Sequence, residues 1–253
     1  MRQQCLTGYV LHQKPYQENR SLLSLFSAEF GMVHGVGKKN LPLFVPLQVF
    51  ASGKHSLKTF SQSQALATVQ PLVGQALYVG MYLNELLAKL LPLEEPMPAV
   101  WHAYADSLTQ LGTWQAQGAD ANTLKWQLRW FETQVLNELG YGIDFCHTPD
   151  GDALAPNTRY QYRLQHGFVP TSAKGQLPTK TGKDLTGKEL ATWQHWLADT
   201  AQFAQAYQTD APATIQLLNN IGQVYRAIID HLIGYQPLQS RNLWRSLQRL
   251  SQH

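Results

Sequence analysis

Apolar positions change rhythm once along this chain. From residue 5 to residue 60 they come in short runs broken by turn residues, and five strands are predicted, over residues 5 to 12, 21 to 27, 31 to 36, 42 to 51 and 55 to 60. The fourth is the clearest: Leu43, Val45, Leu47 and Val49 alternate with Phe44, Gln48 and Phe50, the period-two signature of a strand. Pro46 inside that run marks a sheet edge or a bulge. Turns are expected at Pro15, Gly31, the run from Gly35 to Asn40, and Ser52-Gly53. Five short strands in about sixty residues suit a small closed barrel, because closure removes the unpaired edges of an open sheet.

From residue 74 the period becomes helical. The stretch GQALYVGMYLNELLAKLL, residues 74 to 91, is apolar around much of its circumference and stops at Pro92, which predicts a buried helix serving as the pillar of the fold. Asn84, Glu85 and Lys89 within it argue against a membrane span, since a charge near a bilayer centre costs about 2.5–3.5 kcal/mol. A second helix is expected over Ala99 to Leu111, ended by Gly112. A third carries Leu124, Leu128, Phe131, Val135 and Leu139 inward, with Gly140 as its C-cap. Residues 141 to 182 break the rhythm and contain one hairpin pattern, Tyr160, Tyr162 and Leu164 alternating with arginines and a glutamine before His166-Gly167. Helices resume at the capping box Thr186 to Glu189, again after Pro212, and finally at Ser240, where Leu243, Leu247 and Leu250 face inward and Arg241, Arg245 and Arg249 recur on the other side. The expected architecture is α+β: a five-stranded barrel over residues 1–61, a mostly α-helical domain over 62–144 and 185–253, and a small inserted hairpin module over 145–184.

Charge sharpens this picture. Of the formal net charge of +3, residues 1 to 60 hold +5, residues 61 to 158 hold −7 and residues 159 to 253 hold +5. Two basic parts flank an acidic middle, and a polyanion is the natural partner for basic surfaces, although a solvated surface also carries charge without any partner. The first residues contain no long apolar run or small-residue cleavage pattern, and Cys5 and Cys146 are read as reduced thiols, so a cytoplasmic location is expected. The run HGVGKKN fails as a phosphate-binding P-loop, because Met32 stands where the first glycine is needed and Lys39 where Ser or Thr is needed. It fits instead a flexible basic hairpin tip, or a plain solvated turn. Asp144, Cys146, His147, Asp150 and Asp152 lie close in sequence but match no structural zinc spacing, so no metal and no cofactor is expected. No nucleophile, base and orienter line up, and no enzyme is expected. Small basic barrels commonly bind single strands in a groove with stacking aromatics, and Tyr9, Tyr16, Phe44 and Phe50 are the local aromatics.

Four segments, YVLHQKPYQENRSLLSLFSAEFGMVHGV, ALYVGMYLNELLAKLLPLEEP, LRWFETQVLNELGYGIDF and GYQPLQSRNLWRSL, resemble in order the successive landmarks of the bacterial recombination mediator family RecO. The resemblance implies an N-terminal OB-fold, a helical domain and an inserted module. It further implies binding and annealing of single- and double-stranded DNA, work with RecR to load RecA onto DNA coated by single-stranded-DNA-binding protein, and a nucleoid location. Some relatives hold zinc on four cysteines in the insertion; with Cys146 alone there, no zinc finger is expected. The basic loop after the third strand is also shorter than is usual in the family. For DNA, Lys14, Arg20, Lys38, Lys39, Lys54 and Lys58 on the barrel are expected to contact phosphate, with Arg241 and Arg245 as a second patch. The C-terminal tail of single-stranded-DNA-binding protein is expected at Arg129, with Leu128 and Phe131 taking its apolar side chain. The alternative for Arg129 is an ion pair with Glu132 or Glu138. The rival to the whole reading is a protein-only adaptor in which the barrel is a structural cap.

Overall fold

The structure, a computed structural model, describes residues 3–118, 120–171 and 182–250, except for the side chains of residues 245 and 247–250. Part of the expected insertion, residues 172–181, and the side chains of Arg245 and Arg249 lie outside the described residues. Tertiary contacts divide the chain into two compact units, residues 1–124 with 237–253, and residues 125–236.

The first unit holds five strands, β1 (Gln4–Gln17), β2 (Arg20–Ser27), β3 (Gly31–Lys38), β4 (Leu47–Ser52) and β5 (Lys58–Ala65). They close into a barrel in the order β1-β2-β3-β5-β4, antiparallel except for the β3–β5 pair. Leu6, Val10, Leu23, Leu25, Val33, Leu47, Val49 and Phe60 fill the interior. Two strand expectations change. Residues 42–46 are not strand: Phe44 adopts φ 64°, and regular pairing begins only at Leu47, after Pro46. The run from His34 to Lys38 is not a loop but part of β3. Its glycines answer to packing, since a Cβ on Gly35 would stand 2.5 Å from the Phe60 ring and one on Gly37 2.7 Å from Leu23.

Helices α1 (Gly74–Leu90) and α2 (Pro98–Gln117) complete this unit with α7 (Gln239–Leu250). The α2 helix runs through Gly112, where nothing crowds the backbone, and ends at Gly118 in the left-handed conformation, φ 73°. Tyr9 and Phe26, on the outside of the barrel, pack against Trp101 and Tyr104 of α2 with ring centroids 5.1–6.2 Å apart. The polar residues inside α1 tie the unit together. Buried Asn84 donates to the Leu11 carbonyl of β1 at 3.1 Å and accepts from the Tyr104 hydroxyl at 2.5 Å. The Glu85 carboxylate accepts from the backbone of Gln239 and Ser240 and from the Ser240 hydroxyl, at 2.6–2.9 Å, so the orphan donors at the start of α7 are satisfied from α1. Leu243 of α7, expected to face inward, is exposed.

The α3 helix (Ala121–Glu138) crosses the division between the units. The second unit continues with a three-stranded sheet, β7 (Gly167–Pro170), β6 (Arg159–Arg163) and β8 (Leu185–Thr186), in that order. Helices α4 (Gly187–Ala198), α5 (Thr200–Thr209) and α6 (Ala211–Leu232) follow. The capping box forms as predicted, with Thr186 and Glu189 each satisfying the other's backbone. An aromatic core of Trp126, Trp193, Trp196, Phe203 and Tyr225 holds this unit, with Trp126 stacked on Phe203 at 4.4 Å.

Candidate nucleic-acid interface

Alternation in β2 decides which barrel residues face out. Ser21, Leu23 and Leu25 are buried toward the interior, so Arg20, Leu22 and Ser24 point away from it. Arg20 stands opposite Lys38 of β3, and Leu22 opposite Lys14 of β1. Directly opposed side chains in an antiparallel pair lie roughly 5 Å apart at Cβ and diagonal ones roughly 7–8 Å. Lys14, Arg20 and Lys38 therefore form one exposed cationic cluster, drawn from three adjacent strands. Tyr16, 54% exposed, lies in the β1 bulge between Pro15 and Gln17 at the same end of the ladder. Lys39 belongs to this end as well: its ammonium donates to the Glu18 carbonyl in the β1–β2 turn, a contact that leaves its charge uncancelled.

The same ladder shows what single-sequence reasoning missed. Ser24 is paired with His12 on one side and His34 on the other, and its hydroxyl meets His34 Nδ1 at 3.1 Å. Both imidazoles thus continue the outward face that carries the lysines. The signal lay in strand register, which puts residues 22 positions apart on either side of Ser24.

Two lysines do not join this cluster. Because Lys58 stands opposite Gly35 in a parallel pair, the loop before it, with Lys54, lies toward the Gly31 end of β3, away from Lys38. Lys54 is exposed there. The expectation that Lys58 contacts phosphate is overturned: it is 4% exposed, its ammonium pairs with Glu94 at 2.8 Å, and it donates to the His55 carbonyl. Among the other aromatics, Tyr9 is buried, and Phe44 and Phe50 are half-buried. Arg241 is half-buried with its guanidinium 5.6 Å above the Tyr82 ring, a cation–π contact that gives it a place in the packing of α1 and α7.

In the second unit Arg129 is half-buried, paired with the fully buried Glu132 at 3.0 Å and donating to the Gly222 carbonyl of α6 at 3.2 Å. This is the Glu132 ion pair that stood as the alternative. A Cβ on Gly222 would sit 3.3 Å from the guanidinium, so the glycine makes room for it. Thr133 donates to the Arg129 carbonyl, and the Tyr225 hydroxyl in turn donates to Thr133 at 2.6 Å. Burial pushes the Tyr225 hydroxyl up to about 12. Leu128 is half-buried, whereas Phe131 is fully buried and offers no exposed contact, which corrects its placement in a tail-binding surface.

The acids near Cys146 build a turn. Asp144 accepts from the backbone of Cys146 at 2.7 Å and of His147 at 3.0 Å, and its other oxygen meets His147 Nδ1 at 3.0 Å. Slight burial raises the Asp144 carboxyl, but these bonds outweigh it and hold the group below the usual carboxylate range. Among the described residues no group of three or more His, Cys, Asp or Glu is arranged to hold a metal, and no helix is long and apolar enough to cross a membrane.

A closed five-stranded barrel with a cationic ladder end, joined to helices and a small hairpin sheet, defines a protein of the OB-barrel class with a helical domain. Comparison with known proteins makes the class specific. The family model for the C-terminal domain of recombination protein O matches residues 73–241. The DNA repair protein RecO of Vibrio parahaemolyticus is 37% identical over 188 residues, covering 70% of this chain and 74% of the relative. That of Haemophilus influenzae is 36% identical over 200 residues, covering 75% and 81%, and that of Pasteurella multocida 32% identical over 248 residues, covering 94% and 92%. The chain belongs to the RecO family.

Proposed function

We propose that this chain is a non-enzymatic DNA-binding mediator of recombinational repair. In this reading it holds single- and double-stranded DNA, anneals complementary strands, and works with RecR to load RecA onto DNA coated by single-stranded-DNA-binding protein, in the cytoplasm at the nucleoid. The observation that carries the reading is the Lys14, Arg20 and Lys38 cluster, three exposed cations fixed by strand pairing rather than by flexible loops. Phosphate contacts position a strand without reading its sequence, and annealing needs no more than this, because base pairing supplies the free energy. Lys39 and Lys54 add charge to the barrel, and Arg241 and Arg245 form a second basic element on α7. The partner's C-terminal tail would meet Arg129 through guanidinium donors not engaged with Gly222 or Glu132, beside half-buried Leu128.

The test is fluorescence anisotropy with a labelled single strand at low and moderate salt. For single strands, removing one cation from the phosphates lowers the slope of log affinity against log salt by about 0.7. The Arg20→Glu/Lys38→Glu variant should bind at least about tenfold more weakly with a slope reduced by about 1 to 2. A protein-only adaptor predicts no salt-dependent DNA affinity, so wild-type protein that ignores oligonucleotides in dilute buffer decides for it.

A further inference from the structure

The second unit contains a cleft of about 400 Å3, between the chain that leaves α3, the tip of the β6–β7 hairpin and the last turn of α6. It lies at the lower end of the roughly 300–1,000 Å3 typical of small-molecule sites. Its lining combines apolar side chains, including Ile143, Leu164 and Ile228, with two tyrosines, a glutamine and three histidines. Among the described residues that line it there is no lysine or arginine, and the one carboxylate is Asp144. An isolated phosphate or an acidic peptide would find no fixed positive charge there and would meet that carboxylate. The charge pattern therefore rejects an anion, and a carboxylate already holding the Cys146 and His147 backbone and His147 Nδ1 is a poor seat for a cation, which leaves a neutral ligand as the best fit.

The hydrogen bonds at the rim say which way a neutral ligand must be polarised. His147 gives its Nδ1 proton to Asp144, so in the neutral ring its Nε2 is an acceptor. His166 gives its Nδ1 proton to the Leu164 carbonyl at 3.1 Å, which likewise leaves Nε2 an acceptor. Across the cleft the Gln165 amide reaches His231 Nε2 at 3.4 Å. Tyr141, 52% exposed, and Tyr162 supply aromatic surface beside these acceptors. Apolar walls, aromatic rings and ring-nitrogen acceptors suit a planar heterocycle that presents N–H donors.

We propose that this cleft binds a single unstacked nucleobase carrying an exocyclic amino group, adenine, cytosine or guanine, with the amino group donating to an imidazole Nε2. That the base arrives as part of a DNA strand rests on the function proposed above; the chemistry of the cleft does not. Such a site would grip one base and leave its neighbours free to pair, whereas the barrel cations grip phosphates alone.

The experiment uses the full chain and avoids the strand altogether. Deoxycytidine, deoxyadenosine, thymidine, inorganic phosphate and N-acetylphenylalaninamide are titrated separately while the histidine ring protons are followed by NMR, assigned with single histidine variants. Deoxycytidine and deoxyadenosine are expected to shift His147, His166 and His231 and to leave His12 and His34 unmoved. Thymidine, which lacks an amino group and holds its N3–H donor between two carbonyl oxygens, is expected to bind roughly fivefold more weakly, the worth of one hydrogen bond. His166→Trp, at an exposed hairpin position, fills the cleft and should abolish the shifts. Equal shifts in that variant, no shift with any nucleoside, equal affinity for thymidine, or shifts produced by phosphate or by the phenylalanine amide would each overturn the proposal. A protein that fails these titrations while its strand binding still falls with salt and with Arg20→Glu/Lys38→Glu would lose the cleft and keep the DNA-binding function.

Discussion

Each unit buries a polar centre, and the two are built on different principles. In the first, Asn84 joins the Leu11 carbonyl to the Tyr104 hydroxyl, and every member is neutral. In the second, Arg129 and Glu132 bring opposite charges into the interior beside Thr133, Tyr225 and the Gly222 carbonyl. A neutral amide needs only its hydrogen bonds to be tolerated in a core, and it fixes the register of helix against strand. A buried carboxylate needs a cation as well, and its desolvation can exceed the attraction it gains. The lesson is that a buried asparagine here is an aligning device, whereas the buried carboxylate is a liability that the Arg129 charge beside it offsets.

The strongest way to break this contrast is Arg129→Ala. Glu132 would lose its cation while fully buried, and chemical denaturation should show a loss of about 3–5 kcal/mol. The double variant Arg129→Met/Glu132→Leu should recover most of that, since an apolar pair of similar volume removes the desolvation penalty along with the attraction. A double variant no better than Arg129→Ala would show that the ion pair contributes beyond satisfying itself. Asn84→Ala should cost about 2–3 kcal/mol, because it takes the amide away from a buried carbonyl and a buried hydroxyl, and here no second substitution of a charge should rescue it.

Alkaline titration sharpens the comparison. Tyr225 is raised from an ordinary value of 10 to about 12 in the folded state, so its contribution is intact below pH 10 and is lost as pH rises toward 12. Over that window the loss amounts to about 2–3 kcal/mol. Tyr104 shifts in the same direction for the same reason, burial first. Tyr225→Phe should therefore flatten the alkaline limb without removing it. The smallest effect belongs to Lys58→Met. Its partner Glu94 is 38% exposed and can turn to water, so stability should fall by about 1 kcal/mol or less and the salt slope of DNA affinity should not change. A reduced slope would return Lys58 to the phosphate-binding set.

Several positions show why the candidate site was only partly legible in advance. A lysine in a basic stretch looks available for contact, and Lys58 is not, only because β5 carries it beside Glu94. The glycines of HGVGKKN look like loop residues, yet Gly35 and Gly37 are strand positions cleared for Phe60 and Leu23. Helix α5 leaves no periodic pattern in the sequence because Phe203 is its one buried residue. Its caps were readable nonetheless: Asp199 accepts from Ala201 at its start, and Asp210 accepts from Ala213 at the start of α6.

Local chemistry determined the rest of what could be read from the chain alone. The change from alternation to helical spacing, the capping box at Thr186 and the turn at Gly140 are set by residues within a few positions of one another, so the sequence by itself specifies a barrel followed by helices. Strand pairing and side-chain burial join residues far apart along the chain, as Arg20 meets Lys38 and Glu85 meets Ser240. Only the tertiary structure decided which cations stand together facing water and which are consumed inside, because a charge's partner is chosen by proximity in space.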